Sequence, residues 1–249
     1  MGKRILVIVA SGKSSRFGGF PKALCKIGKV TNAENTYEKA KSFYDKIYLA
    51  VNSAVYKQFN GEIQGCQMFS IVTGQGDAHS LLKCIEYIKK CEKDVERISA
   101  CWGDAVFINS HTFEEFEKKA TRHKVSVACA EDQSPYAWFD IDDSLNILKA
   151  HFSNEGIQIE KGMHDQSLFS FDSEFAIKYL NEYREKMGIL YNNDETQADR
   201  NEMKLLKSFE YLNQVGYEPA KCIEISPNYV LSFNTQEELK EIKKKLQRG

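Results

Sequence analysis

A chain of 249 residues with 42% hydrophobic and 28% charged residues can bury the core of one large α/β domain or of two small ones. Its 34 basic and 35 acidic residues leave a formal net charge of −1, so no global basic field argues for nucleic acid or an anionic membrane surface. Any phosphate binding must be local.

The aliphatic run Ile5 to Val9 predicts a buried parallel strand. It stops at Ala10-Ser-Gly-Lys-Ser-Ser-Arg16, a loop of small and hydroxyl residues, and Pro21 stiffens the backbone just before Lys22. Backbone amides, hydroxyls and two cations, Arg16 and Lys22, suit a polyphosphate. A helix is predicted over Thr36–Phe43, a strand over Asp45–Asn52 and another over Met68–Thr73, followed by Gly74-Gln-Gly-Asp77. Leu81, Leu82, Ile85 and Ile88 recur at helical spacing within residues 78–93. A strand follows over Arg97–Asp104, a helix over Thr112–Arg122 and a fifth strand over Val125–Ala130. This alternation predicts right-handed crossovers and a mostly parallel sheet, with Ser11-Gly12, Asn52, Gly74-Gln75-Gly76 and Asp104 gathered at its carboxyl edge.

From Ser134 the rhythm changes. Residues 137–142, 146–152 and 166–171 read as antiparallel strands or long loops without intervening helices. Ser173 is the expected cap of a helix running to Lys186, a second helix is expected over Asp199–Val215, and Asn228–Phe233 is a late strand before a helix from Gln236 to Gln247. No linker or repeat divides the chain, so one domain over 1–249 is expected, with 134–198 as a smaller insertion. Seven cysteines without a Cys-x-x-Cys pair speak against structural zinc. Reduced thiols, no secretory signal and no apolar run long enough for a bilayer predict a soluble, cytoplasmic protein.

Two familiar phosphate loops fail on spacing. A Walker loop needs glycine where Val7 stands, and the dinucleotide fingerprint is missing after Ala10. The whole stretch from Ala10 to Arg16, followed by Pro21-Lys22-Ala-Leu24, instead resembles the signature of the nucleotidyltransferase superfamily. Gly74-Gln-Gly-Asp-Ala-His-Ser80, Trp102-Gly-Asp104 and Ser232-Phe-Asn-Thr-Gln-Glu-Glu-Leu239 resemble its later landmarks, in the right order. The resemblance implies a Rossmann-like, mostly parallel mixed sheet flanked by helices, with a β-rich insertion that takes the acceptor. It implies a phosphate cradle at Ala10, Ser11, Gly12, Lys13, Ser14 and Ser15, catalytic Arg16 and Lys22, and nucleotide contacts from Gln75, Asp77, Ser80 and Gly103. Magnesium is expected on Asp104 and Asn234, and the acceptor on Tyr136, Asp140, Lys149, Gln166 and Ser167.

Bland roles compete with several of these. Arg16 can be a surface arginine, Asp104 a helix cap, Asn234 the N-cap of the last helix, and Gln75, Asp77 and Ser80 turn and cap residues. His79, His151 and His164 read as structural or surface residues, since no second soft ligand is suitably spaced. The expected partners are a nucleoside triphosphate and a phosphorylated small molecule, without nucleic acid or membrane; a homodimer is left open. Asp77, as a pure acceptor, suits the exocyclic amine of cytosine and so favours CTP. The chain is similar to small capsule-locus cytidylyltransferases, which in the narrowest form implies phosphorylated L-glutamine as acceptor, CDP-L-glutamine as product and a place in capsular O-methyl phosphoramidate synthesis. Sugar-1-phosphate or polyol-phosphate transfer, a GT-A-type glycosyltransferase using Asp140 and Asp142, and a non-catalytic nucleotide-binding domain are the alternatives.

Overall fold

The computed structural model describes residues 2–12, 14, 17–58, 62–63, 65–72, 75–188, 202–226 and 229–248. Strand β1 (Lys3–Ala10) is followed by the hairpin β2 (Lys26–Ile27) and β3 (Val30–Thr31), helix α1 (Asn32–Ala40), β4 (Lys46–Val51), α2 (Ser53–Gln58), β5 (Glu62–Ile63) and β6 (Cys66–Ser70). Then come α3 (Asp77–Cys91), β7 (Val95–Trp102), β8 (Ala105–Phe107), α4 (His111–Ala120) and β9 (Val125–Gln133). The later part holds β10 (Ala137–Ile141), β11 (Ile147–Phe152), β12 (Lys161–Asp172), α5 (Ser173–Lys186), α6 (Leu205–Gln214), β13 (Lys221–Glu224), β14 (Val230–Ser232) and α7 (Gln236–Arg248).

The main sheet runs β11-β10-β12-β7-β1-β4-β6-β5. Strands β7, β1, β4 and β6 are parallel, as the βαβ rhythm predicts. Both faces are covered, so β1 is continuously apolar from Ile5 to Ala10 rather than alternating. Ile5, Val7 and Val9 pack with α3, α5 and α6, while Leu6 and Ile8 pack with α1 and α4. A third, smaller core of Phe17, Ile27, Val106, Phe233, Leu239 and Ile242 seats α7 against the carboxyl edge. Among the described residues no helix is long and apolar enough to cross a membrane, and all seven cysteines are free.

The fifth strand keeps the parallel direction but not the expected neighbour. Strand β9 does not pair with β7: β12 lies between them, antiparallel to both. Strand β12 reaches this position because only a 3-10 turn over Ser153–Glu155, and no crossover α-helix, separates it from the β10–β11 hairpin, so it returns antiparallel. Its register against β9 jumps at Asp165–Phe169, where four steps of β12 span two of β9. Gln166 and Ser167 occupy this bulge, with Ser167 at φ 56°.

Three helix starts also differ. Helix α1 begins at Asn32, not Thr36, because Thr31 and Glu34 form a capping box. Asp172, not Ser173, caps α5, its carboxylate accepting from Phe175 N, while the Ser173 hydroxyl donates to the Val95 carbonyl at 2.6 Å. Helix α6 starts only at Leu205 because Met203 is committed to backbone bonds with Gln75 and Ala78; residues 199–201 lie outside the described residues.

Candidate active site

The carboxyl edge is built on a close backbone approach. Gly103 follows β7 and donates its N–H to the Val9 carbonyl at 2.9 Å. A Cβ there would stand 2.7 Å from Ala10 Cβ and 3.2 Å from Ala23 Cβ, so a side chain would force the β7 turn off the loop after β1. Asn32, the buried first residue of α1, donates through Nδ2 to the carbonyls of Gly103 (3.1 Å) and Ala105 (2.8 Å). It thus grips the backbone on both sides of Asp104. Nothing in the motif reading pointed to Asn32; its signal was the Thr31-x-x-Glu34 capping box that opens α1.

Pro21 is extended and leads into a 3-10 turn over Lys22–Leu24 that buries Ala23 and Leu24. Anchored by these neighbours, the Lys22 ammonium donates to Asp104 Oδ2 at 2.8 Å and to Asn234 Oδ1 at 2.8 Å. Neither oxygen-bearing residue is a helix cap. Asp104 is followed by strand β8, which pairs with β14 and so brings Ser232 opposite Ala105. In α7 the cap is Thr235: its Oγ1 accepts from Glu238 N at 3.2 Å and Glu238 Oε2 accepts from Thr235 N at 3.1 Å. The side-chain oxygen of Asn234 is thereby left to face Lys22. Phe17 packs on Phe233 with ring centroids 5.5 Å apart, tying the loop after β1 to the segment that carries Asn234.

Within that loop, Ser11 is buried, Gly12 faces open space, and the Ser14 carbonyl accepts from Phe17 N (2.8 Å) and Gly19 N (3.0 Å). Lys13, Ser15 and Arg16 lie outside the described residues, so the cradle expected there is described only in part.

The Gln75–Ser80 segment opens α3 against the start of α6. Gly76 has φ +101°, and a Cβ on it would meet Met203 O at 2.5 Å, so both conformation and space demand glycine. Asp77 Oδ1 accepts from Leu205 N and Ala78 N, both at 2.8 Å, and desolvation of its carboxylate, partly offset by these bonds, raises its pKa to about 6. The Ser80 hydroxyl donates to the Gly76 carbonyl at 3.0 Å. These residues therefore hold the turn together whatever else they contact. His79 is buried with neither ring nitrogen bonded among the described residues, and burial, then the charges of Lys83 and Arg184, lower its pKa to about 4. It is a neutral core imidazole.

The residues expected to receive an acceptor divide. Gln166 and Ser167 line a cavity of about 390 Å³ between β9, β12 and β14, together with Asp165 and Ser232. Tyr136, Asp140 and Lys149 do not line it. Tyr136 is exposed at the edge of Phe152, Lys149 pairs with Asp140 across β10 and β11, and Asp140 Oδ2 bonds His151 Nε2 at 2.7 Å. His151 stacks on Trp138 at 5.3 Å. Asp142 is spent on its turn: Oδ1 accepts from Ser144 N and Asn146 N and Oδ2 from Asn146 Nδ2, all at 2.9 Å, and these bonds depress its pKa. The Asp140-Ile-Asp142 pair is a hairpin device here. Sequence reasoning missed Glu131, Asp132 and His164 as cavity walls, because they face it only through the β9–β12 pairing.

Both oxygens that meet Lys22 are hard donors directed at one cation, which suits magnesium, an ion that keeps several waters and needs few protein ligands. Among the described residues no group of three His, Cys, Asp or Glu side chains gathers as a metal centre.

A profile of the MobA-like NTP transferase domain matches residues 6–185. No curated protein sequence matches the chain. Among solved structures, the chain is similar to a protein described as a glucose-1-phosphate thymidylyltransferase from Bacillus anthracis (16% identity, TM-score 0.69, covering 98% of this chain and 95% of that one). It is similar to the CTP:phosphocholine cytidylyltransferase from Streptococcus pneumoniae (12%, 0.67, 98% and 99%) and to the inositol-1-phosphate CTP transferase from T. maritima (13%, 0.68, 100% and 98%). At such identities the likeness is one of fold.

Proposed function

The chain belongs to the MobA-like NTP transferase domain family, and from that premise we propose that it is a magnesium-dependent nucleotidylyltransferase that joins a nucleoside monophosphate to a phosphorylated small molecule. The observation that carries this reading is the convergence of Lys22, Asp104 and Asn234 at the carboxyl edge of the parallel strands. An oxygen of the acceptor's phosphate attacks the α-phosphorus of the triphosphate; the bond to the β-phosphate breaks and pyrophosphate leaves. A phosphate monoester has a second pKa near ~6, so the nucleophile is already anionic at neutral pH and needs no general base. The catalytic requirement is to align two polyanions and to neutralise charge growing on the leaving group.

Lys22 supplies a point charge on a stem fixed by Pro21 and Ala23, and Arg16 is proposed as a planar fork on the triphosphate. The amides from Gly12 to Ser15 are proposed as the phosphate cradle. Magnesium, held by Asp104 and Asn234, would supply further neutralisation of the phosphate oxygens. With substrate present the Lys22 ammonium is free to turn from Asp104 and Asn234 towards a phosphate. The present pairing keeps the three side chains within reach of one another until then.

For the base we propose cytosine. Asp77 Oδ2 takes no bond among the described residues, which leaves an acceptor for the exocyclic amine. In the narrowest form the acceptor is phosphorylated L-glutamine and the product CDP-L-glutamine. Sugar and polyol phosphates are the rival acceptors, with the thymidylyltransferase and the inositol-1-phosphate CTP transferase as proteins of similar fold. The test is pyrophosphate release from each of four nucleoside triphosphates, with magnesium and a panel of phosphorylated sugars, polyols and amino-acid derivatives. Release with CTP well above UTP, ATP and GTP is expected. Equal rates with UTP would remove the base assignment, and no release from any pair would leave a binding domain or a glycosyltransferase in its place.

A further inference from the structure

The Lys22 ammonium sits at the point where Asp104 and Asn234 converge. It lies 2.8 Å from Asp104 Oδ2 and 2.8 Å from Asn234 Oδ1, and among the described residues it is the cation that pairs with Asp104. A divalent ion sharing the same oxygens would stand almost against the ammonium. The side chains of Lys22 and Asp104 are only 16% and 26% exposed, so water would screen that repulsion poorly. The ammonium and a metal ion therefore exclude one another at these oxygens.

The oxygens are held in place by contacts that do not involve Lys22. Asn32 Nδ2 bonds the carbonyls on both sides of Asp104. Glu238 accepts from the backbone N–H groups of Asn234 and Thr235, and Phe17 packs on Phe233. On the lysine side Ala23 and Leu24 are buried and Pro21 is extended, so the backbone of Lys22 is fixed and only its flexible stem can swing. Withdrawing the ammonium thus uncovers a preformed pair of hard oxygens. A hydrated ion arriving alone gains one carboxylate and one neutral amide oxygen, and must break a charge-assisted bond to reach them. A triphosphate reverses that balance, because it brings a new anionic partner for the ammonium and further oxygens for the ion.

Resting on the nucleotidyl-transfer reading, we infer that Lys22 sets the order of assembly: its ammonium keeps Asp104 and Asn234 closed to a free divalent cation and releases them only when a triphosphate draws it away. Metal and nucleotide then enter together, as one complex. In the nucleotide-free protein the ammonium neutralises Asp104 in the metal's stead, so the two oxygens stay converged between turnovers. Lys22 is in this way a gate for the metal as well as a charge for the phosphates.

The probe is manganese(II), which takes the same hard oxygen donors as magnesium and raises water-proton relaxation when it joins a macromolecule. It is titrated into the full chain, wild type and Lys22→Met, first alone and then with CTP but no acceptor. Wild type is expected to take up little manganese alone and to show the relaxation enhancement once CTP is present. Lys22→Met is expected to bind manganese alone roughly 10-fold or more tightly than wild type, and adding Asp104→Asn should abolish the gain. Lys22→Gln, which also lacks the charge, should gain likewise and replaces the methionine variant if circular dichroism shows that one misfolded. Uptake by nucleotide-free wild type as tight as with CTP overturns the proposal without any variant. Equal affinity in wild type and the folded variant, including no uptake by either, overturns it too, as does a gain that survives Asp104→Asn. In each of these cases pyrophosphate release by wild type leaves nucleotidyl transfer standing. No enhancement in wild type with CTP or any other nucleoside triphosphate overturns the transfer reading and the proposal with it.

Discussion

Lys22 and Asn234 stand 212 positions apart in the chain, and the lysine ammonium lies 2.8 Å from the asparagine Oδ1. Asp104 Oδ2 meets the same ammonium at 2.8 Å. The side chain of Lys22 is only 16% exposed, so its charge is not dissipated in bulk water as a surface lysine's is. If that charge neutralises the leaving pyrophosphate, Lys22→Met removes an interaction strongest in the transition state. Pyrophosphate release at saturating substrate is expected to fall on the order of 10²–10³-fold, with a smaller change in the KM for nucleotide. A loss confined to KM would make Lys22 a binding residue only.

Asn234 and Thr235 are adjacent yet predicted to fail in different ways. Thr235 carries the capping box of α7, so Thr235→Ala is expected to cost about 1 kcal/mol of stability and to leave turnover nearly unchanged. Asn234→Ala is expected to do the reverse. Asn234→Asp adds a charged ligand beside Asp104, and the half-saturating magnesium concentration should fall several-fold. Thermal unfolding and a magnesium titration of the three variants separate these outcomes; Asn234→Ala behaving like Thr235→Ala would make Asn234 structural.

Much of this was legible in the sequence where local pattern and tertiary demand agree. The aliphatic run of β1, the helical spacing of Leu81, Leu82, Ile85 and Ile88, and the Gly103-Asp104 strand end each read directly, because buried parallel strands and their crossover helices carry strong periodic signals. Elements of two to four residues, such as β5, β8 and β13, carry too little pattern, and partners on other strands decide them. The acceptor side was least legible. Its cavity walls come from a register jump in β12, which no single stretch encodes: of the insertion residues expected to meet the acceptor, Gln166 and Ser167 line this cavity while Tyr136, Asp140 and Lys149 lie away from it. The start of α6 was misplaced for a related reason: Met203 answers to Gln75 and Ala78, far away in the chain.

Asn32 is predicted to be a positioning residue for Asp104. Its Nδ2 bonds two carbonyls that flank the aspartate, and removing it takes this buried donor from both. Asn32→Ala is expected to cost about 1–3 kcal/mol in urea unfolding. Asn32→Asp, which keeps the shape but offers no donor, should be at least as costly. In whatever folded fraction remains, turnover should fall while the KM for nucleotide stays close to wild type, since the cradle after β1 is untouched. Wild-type turnover in either variant would show that Asp104 holds its place without the asparagine.

Glu92 predicts an acid-sensitive clasp remote from the site. Ending α3, its carboxylate accepts from Lys3 Nζ at 2.8 Å, from Lys46 Nζ, and from the Tyr48 hydroxyl at 2.6 Å, thereby joining the helix end to β1 and β4. The bond from Lys3, then those from Lys46 and Tyr48, lower its pKa to about 2, against an unfolded value near ~4.3. The folded state therefore binds the proton more weakly than the unfolded state. The stabilisation is complete above about pH 5 and is lost as pH falls from there towards 2. Glu92→Gln should be less stable than wild type by about 1–3 kcal/mol at pH 7. That gap should shrink by roughly half or more by pH 3, because wild type loses its charged clasp and the variant has none to lose. Urea unfolding of both proteins between pH 7 and pH 3 measures it; a gap that stays constant across the range would mean that the three donors do not hold Glu92 ionised.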